Sequence, residues 1–360
     1  KQNKIKILFQ ETSDKRLENF LKEKFDLKFQ ILKNSFTQKS KKRILSLYKN
    51  NYIDSSLIYE SKNFYHINFN DCNFQDYEIN FIKKKFVNKK KKKILYIQFS
   101  YAAHRSDDKW LKNAALYKLK NIFHIYKLLN IDLVIPFASF INFSNIENQN
   151  LNKFKNNCYN TSLYFKKHKV NHCFLNPLNT KINLDELINN KNFRKKTNNN
   201  SISFWDNKFS KKNKNFTPSL KKEISNNTAN KFLERVKKKN SILLMHLIRF
   251  FSFKFLFGDC IIYLTDTKET YKINFFSIRK IQDKSKASLS MKSEVLFFML
   301  EEVYGVDTII VNGRFKEIKK NSFSKLIQSI GFTIINQSNY GINLNTLFNK
   351  FFLKKLFFAL

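Results

Sequence analysis

Residues 93–137 spell a strand, a loop, a long helix and a second strand in succession, and this unit limits the fold more than any other stretch. The run KILYIQF at 93–99 is β-branched and aromatic and of strand length. Ser106, Asp107 and Asp108 offer N-cap candidates with acidic residues in the first turn of a helix. Leu111, Ala114, Ala115, Leu119, Ile122, Ile125 and Leu128 then recur at close to helical spacing. Residues 131–137 are a second apolar run, with Pro136 near its end. A strand, crossover helix and strand of this length make a parallel βαβ unit, and the right-handed crossover is strongly favoured. Sites in such units lie on loops that follow the strand C-termini. Here those loops are residues 100–107 and 138–148.

The flanking sequence extends the same α/β pattern. Residues 4–9, 14–25 and 27–32 read as strand, helix and strand. Residues 57–60 and 64–69 read as a hairpin across Ser61, Lys62 and Asn63, and 75–86 as a helix. Residues 162–165 and 173–175 read as further short strands. Residues 189–215 are rich in Asn and Lys and poor in apolar residues, which predicts a linker or surface loop. That places a first domain over 1–188 and a second over 216–360. In the second, residues 220–238 and 241–253 read as helices and 259–264 with 270–275 as a hairpin. A helix over 293–303 and a strand over 308–311, turned by Asn312 and Gly313, complete a smaller α+β domain. Residues 241–264 are apolar, but His246, Arg249, Lys254 and Asp259 interrupt them, which predicts a buried helix running into a strand rather than a membrane span.

Composition sets outer limits. A chain of 360 residues with 42% hydrophobic content has room for real cores and is not globally disordered. The four cysteines, Cys72, Cys158, Cys173 and Cys260, show no zinc-cage spacing and are too few for a disulfide scaffold, so a reducing, cytoplasmic setting is expected. The net charge of +39 predicts attraction to polyanions. Lys greatly outnumbers Arg, however, and Lys, Asn, Ile, Phe and Tyr all have AT-rich codons, so genomic bias explains the charge without a dedicated nucleic-acid face. The tail LFNKFFLKKLFFAL mixes Phe, Leu and Lys at roughly helical spacing, as a docked terminal helix or a membrane-surface segment would.

Three segments together resemble a known family. They are DSSLIYESKNFYHINFNDC at 54–72, FSYAAHRSDDK with VIPFASFINFSNIEN at 99–148, and YGVDTIIVNGRF at 304–315. In this order they look like the second half of a metallo-β-lactamase-fold domain, in the branch of lactonase-like metallohydrolases and CMP-N-acetylneuraminate hydroxylases. The resemblance implies an αββα sandwich, N-terminally incomplete here, followed by the smaller α+β domain. It implies zinc or iron in the intact protein. Asp71 matches the strand-end Asp that binds metal in the family, whereas taken alone an Asp after a strand reads first as a turn-forming Asx residue. Ala138 stands where the lactonase branch has a metal-binding His. Asn145 stands where the hydroxylase branch has one, and an amide oxygen is a much weaker ligand for zinc or iron than imidazole. The family's His-x-His-x-Asp-His motif occurs nowhere in the sequence; on the resemblance it belongs upstream of Lys1 or has been lost.

Tyr101, His104, Arg105 and Arg314 are the candidates to line a substrate cleft. His104 suits a general base or ligand but also a plain loop histidine. Arg314 suits an anion fork but also a structural partner for a carboxylate. Two functions follow. One is a metal-dependent hydrolase or hydroxylase acting on a small anionic metabolite, such as a nucleotide sugar or surface-sugar precursor, whose site the chain as given cannot assemble by itself. The other is a non-catalytic basic protein binding RNA or a ribonucleoprotein on a degenerate fold.

Overall fold

The computed structural model describes residues 7–11, 16–25, 29–33, 35–40, 43–49, 55–101, 108–179, 181–210, 220–252, 254–319, 322–337 and 341–344. The chain divides into two compact units. Unit 1 takes Lys1–Tyr101, Lys112–Asn142 and Lys155–Lys212; unit 2 takes Ala102–Leu111, Phe143–Phe154 and Asn213–Leu360. The first boundary of the sequence reading, at residue 188, therefore falls inside unit 1.

Unit 1 opens with strand β1 (Ile7–Gln10), helix α1 (Arg16–Phe25) and strand β2 (Phe29–Leu32), and the two strands pair in parallel as a strand–helix–strand unit should. Its main sheet has six strands in chain order. They are β3 (Phe36–Ser40), β4 (Arg43–Lys49), β5 (Ser55–Glu60), β6 (Phe64–Asn70), β7 (Lys92–Gln98) and β8 (Leu133–Phe137). The first four run antiparallel, while β6, β7 and β8 are parallel. Helix α2 (Asp76–Lys83) crosses from β6 to β7, and α3 (Asp108–Leu129) from β7 to β8. Two crossovers stepping the same way put their helices on one face, and His124 of α3 meets Asp76 of α2 at 2.8 Å.

Alternation along the strands divides the core. Leu95, Ile97 and Val134 pack with Leu119, Ile122 and Ile125 of α3. Ile94, Leu133 and Ile135 face the other way, onto Leu187 of α5 (Leu184–Asn189). Burial on both faces explains why β7 and β8 read as continuous apolar runs. Among the described residues of unit 1, the main sheet is thus a single layer with helices on both sides.

Three readings of unit 1 need correction. Residues 173–175 are not a strand; the chain there makes only an isolated bridge, His172 with Val134. Residues 162–165 are not a strand but part of α4 (Cys158–Lys167), capped by Asn157 accepting from Asn160 N. Residues 191–210 are not a loop but the 20-residue helix α6 (Lys191–Ser210). Its inner face is polar yet satisfied: Phe174 N donates to Asn198 Oδ1 at 2.8 Å, and Asn198 Nδ2 donates to Ser162 Oγ at 3.2 Å. Trp205 donates to Leu175 O at 2.9 Å and stacks on Phe140 with centroids 4.0 Å apart. A face made of Asn and Ser carries no hydropathy signal, although its hydrogen bonds hold it in place.

Unit 2 is α+β. Its five strands lie in the order β11 (Ile278–Ile281), β10 (Thr270–Ile273), β9 (Cys260–Leu264), β12 (Leu289–Met291), β13 (Lys316–Glu317). All neighbours are antiparallel except β9 and β12. Helices α7 (Asn226–Lys239), α8 (Ile242–Phe251), α9 (Ser293–Glu301), α10 (Gly305–Asn312), α11 (Ser322–Ile330) and α12 (Phe332–Gln337) complete it. Ser225 and Ser241 cap α7 and α8. The expected hairpin is β9–β10. The strand expected over 308–311 is instead helix α10: Gly305, Val306 and Ile309 make its buried face. Gly313, at φ 62°, ends that helix as a left-handed C-cap rather than turning a hairpin. A β-branched run favours strand only weakly against such packing.

Candidate functional site

The C-terminal ends of β6, β7 and β8 lie on one edge of the unit 1 sheet, because these neighbours are parallel and Asn70 pairs with Ile97 and Gln98 with Phe137. Asp71, Tyr101 and the segment from Ala138 to Asn142 therefore emerge together. Two of the strand ends turn through left-handed residues, Asn70 at φ 47° and Ala138 at φ 55°. Asn tolerates this conformation; Ala adopts it at a cost of about 1–2 kcal/mol. Asp71 follows in an exposed turn, where Asn70 Nδ2 donates to its Oδ1 at 2.6 Å. Tyr101 is half-buried, and burial pushes its phenol up to about 12. It is a neutral hydroxyl at physiological pH, suited to hydrogen bonding rather than to acting as a base.

A buried polar knot fixes this edge. Ser100 N donates to Ser139 Oγ at 2.9 Å, and Ser139 Oγ donates back to Ser100 O at 3.3 Å. Asn156 N donates to Ser100 Oγ at 3.1 Å. Asn156 Nδ2 donates to Phe99 O at 2.9 Å and to Ala115 O at 2.8 Å. All three side chains are buried. Beside the knot, the Lys155 ammonium donates to Ile141 O and to Asn142 Oδ1, and lies 4.9 Å from the Phe209 ring centroid. Burial pulls Lys155 down to about 8, partly opposed by Cys158. The sequence reading missed Ser139, Lys155 and Asn156. Only the position of Ser139 just after a parallel strand could have flagged it; the other two precede a helix with no distinguishing pattern.

The remaining candidates fall elsewhere. His104 and Arg105 lie outside the described residues. Asn145 and Arg314 belong to unit 2. The Asn145 carbonyl accepts from Asn148 N and Gln149 N, both at 3.0 Å, and so starts a short 3-10 turn. Arg314 bonds Glu294 and lies 3.9 Å from Glu147, which also meets Lys292 at 2.9 Å. Burial opposes ionisation of Glu147, but Lys292 and Arg314 outweigh it and hold the carboxyl below its usual range. Asn148 Nδ2 donates to Asn312 O at 2.6 Å. Of the two roles open to Arg314, this geometry is that of a structural partner for carboxylates.

The described residues do not supply a ligand set for zinc or iron. No group of three or more His, Cys, Asp or Glu side chains comes together among them. The described histidines have other roles. His172 Nδ1 donates to Val170 O at 2.9 Å, which leaves Nε2 to accept from Ser162 Oγ at 2.8 Å. His66 meets Tyr96 Oη at 3.2 Å, and His124 meets Asp76. His168 packs on Tyr164 and His246 on Phe276. All four cysteines are buried free thiols, and burial pushes Cys158, Cys173 and Cys260 up to about 12.

Compared with known protein families and with curated protein sequences, the chain matches none. No helix among the described residues is long and apolar enough to cross a membrane.

Proposed function

We propose that this chain is a metal-dependent hydrolase or hydroxylase acting on a small anionic metabolite, as its resemblance to the metallo-β-lactamase family implies; the unit 1 sheet has helices on both faces where that family's αββα sandwich has a second sheet. The support comes from strand ends rather than from layers. The observation that carries it is Asp71: an exposed carboxylate directly after β6, on the edge where the loops after β7 and β8 also emerge. A carboxylate so placed is a hard oxygen ligand open to a cleft. Asp71 is the described residue that would hold the metal, and its other ligands would come from outside the described residues. Such an ion supplies Lewis acidity and an activated water or oxygen. The knot of Ser100, Ser139 and Asn156 holds the loops that flank it. The Lys155 ammonium, on the same edge, would favour an anionic substrate. The test is the zinc and iron content of wild type and Asp71→Ala. Loss of metal in the variant upholds the reading, and equal content in both overturns it.

One observation favours the second reading, polyanion binding. The outer faces of α2 and α3 expose Tyr77, Phe81 and Tyr117 among Lys84, Lys85, Lys112, Lys120 and Lys127, with Lys85 Nζ 5.0 Å from the Phe81 ring centroid. Rings interleaved with cations are what single-stranded RNA stacks upon. Binding of a homopolymeric RNA that weakens steeply with salt and is lost in Tyr77→Ala/Tyr117→Ala would support it; binding unaffected by that double change would refute it.

A further inference from the structure

Helix α8 carries apolar residues on every side, interrupted by His246 and Arg249, yet only half of it is covered. Ile242, Leu244, Met245 and Ile248 pack on the unit 2 core. Leu243, Leu247, Phe250 and Phe251 point outward, with exposures of 70%, 42%, 75% and 73%, and Phe255 just beyond the helix is 59% exposed. At 100° per residue these outward helix positions, with His246, fill an arc of roughly 140°. The sequence reading expected a buried helix here, and the structure leaves its outer side bare. A stripe of large side chains at this spacing is not the scattered exposure of an ordinary surface.

The surroundings select what covers it. Residues 236–258 contain no Asp or Glu. Lys237, Lys238 and Lys239 stand exposed in the last turn of α7, directly before α8, and Lys254 stands exposed directly after it. The first acid beyond, Asp259, is already paired with Lys272 at 2.7 Å and Arg249 at 3.4 Å. An apolar stripe bracketed by cations and free of acids complements a surface that is negative outside and hydrocarbon within. A second copy of the chain fits less well, because it would bring the same lysines together in a molecule of net charge +39.

We infer that α8 is an interfacial membrane anchor: it lies in the plane of an anionic lipid surface, with Leu243, Leu247, Phe250 and Phe251 among the acyl chains and Lys237, Lys238 and Lys254 at the headgroups. Aromatic and aliphatic side chains on one face with flanking lysines are what such helices use. Attraction to anionic lipid adds to burial of the stripe and falls off within a Debye length of the surface.

The experiment is flotation of the purified protein with vesicles of phosphatidylcholine alone and of phosphatidylcholine with phosphatidylserine. Wild type should float with the anionic vesicles and roughly tenfold less with the neutral ones. Phe250→Ser/Phe251→Ser should lower flotation by roughly tenfold or more, because two exposed rings are lost. Both rings are exposed, so the far-UV spectrum should not change. Tyr77→Ser/Phe81→Ser, which removes two exposed rings from unit 1, should float like wild type. The inference fails if wild type does not float, or if the α8 double variant floats as well as wild type. It fails equally if sedimentation shows a wild-type dimer that this variant dissolves, since a second copy would then be the occupant.

Discussion

Replacing Asn156 by alanine should unseat the edge on which the candidate site stands. Its side-chain amide donates to Phe99 O at the end of β7 and to Ala115 O within α3, in a place that water does not reach. Each lost bond removes about 1 kcal/mol net, and a buried carbonyl left without its donor adds about 1–3 kcal/mol. Ala115 O sits inside a helix and keeps its ladder partner, so the larger share falls on Phe99 O. The total is about 3–5 kcal/mol, and for a unit of this size roughly 6–20 °C in melting temperature. Asn157→Ala is the matched comparison. It removes only a helix cap, Asn157 Oδ1 to Asn160 N at 2.8 Å, worth about 1 kcal/mol. Urea unfolding followed by Trp205 fluorescence, in a Trp110→Phe background, reads the unit directly. If Asn156→Ala costs no more than Asn157→Ala, the knot does not hold the edge.

Unit 1 should lose stability in mild acid through His172. Burial holds this imidazole down at about 4, with Lys166 and Arg194 adding and the Val170 carbonyl opposing, against a usual value near 6.5. The folded state thus binds fewer protons than the unfolded one. The stabilisation is present above pH ~6.5 and is lost as pH falls toward ~4, by about 3 kcal/mol in all; urea midpoints at stepped pH should show this, and His172→Gln should flatten the curve above pH ~5. Arg314→Ala should destabilise unit 2 by about 2–4 kcal/mol by leaving Glu294 without its cation, while metal content stays unchanged; metal loss without destabilisation would restore Arg314 to a site role. Ellman's reagent should find almost no reactive thiol in the native protein and four in denaturant, since all four cysteines are buried and free.

What the sequence disclosed follows from where hydropathy carries information. The parallel unit of β7, α3 and β8 was legible because both strands bury two faces and α3 keeps a clean apolar stripe at Leu111, Ala115, Leu119, Ile122 and Ile125. The hairpin of β9 and β10 was legible for the same reason. Helix α6 was hidden because Asn198 and Ser201 face inward and are satisfied by hydrogen bonds rather than by burial of carbon. The β3–β4 pair was missed because residues such as Thr37, Gln38 and Lys39 give an edge strand no apolar alternation. Helix α10 was misread because Ile309, Ile310 and Val311 prefer strands, whereas the close approach of Gly305 to the carbonyls of Phe298 and Met299 requires its tight start. In the site, Asp71 was singled out by the family resemblance, because an Asp after a strand taken alone reads as a turn residue. Arg314 could not be assigned a role, because its partners Glu147 and Glu294 are far apart in sequence and a guanidinium looks the same whether it awaits a ligand or already holds a carboxylate.

The central claim is that Asp71 holds a metal ion at the edge formed by β6, β7 and β8. Elemental analysis of the protein, beside the same protein carrying Asp71→Ala, tests it most directly. The account predicts zinc or iron near one equivalent or more in wild type, falling roughly tenfold or more in the variant, with the far-UV spectrum unchanged because Asp71 is exposed. Metal retained in Asp71→Ala, or absent from both proteins, would contradict it.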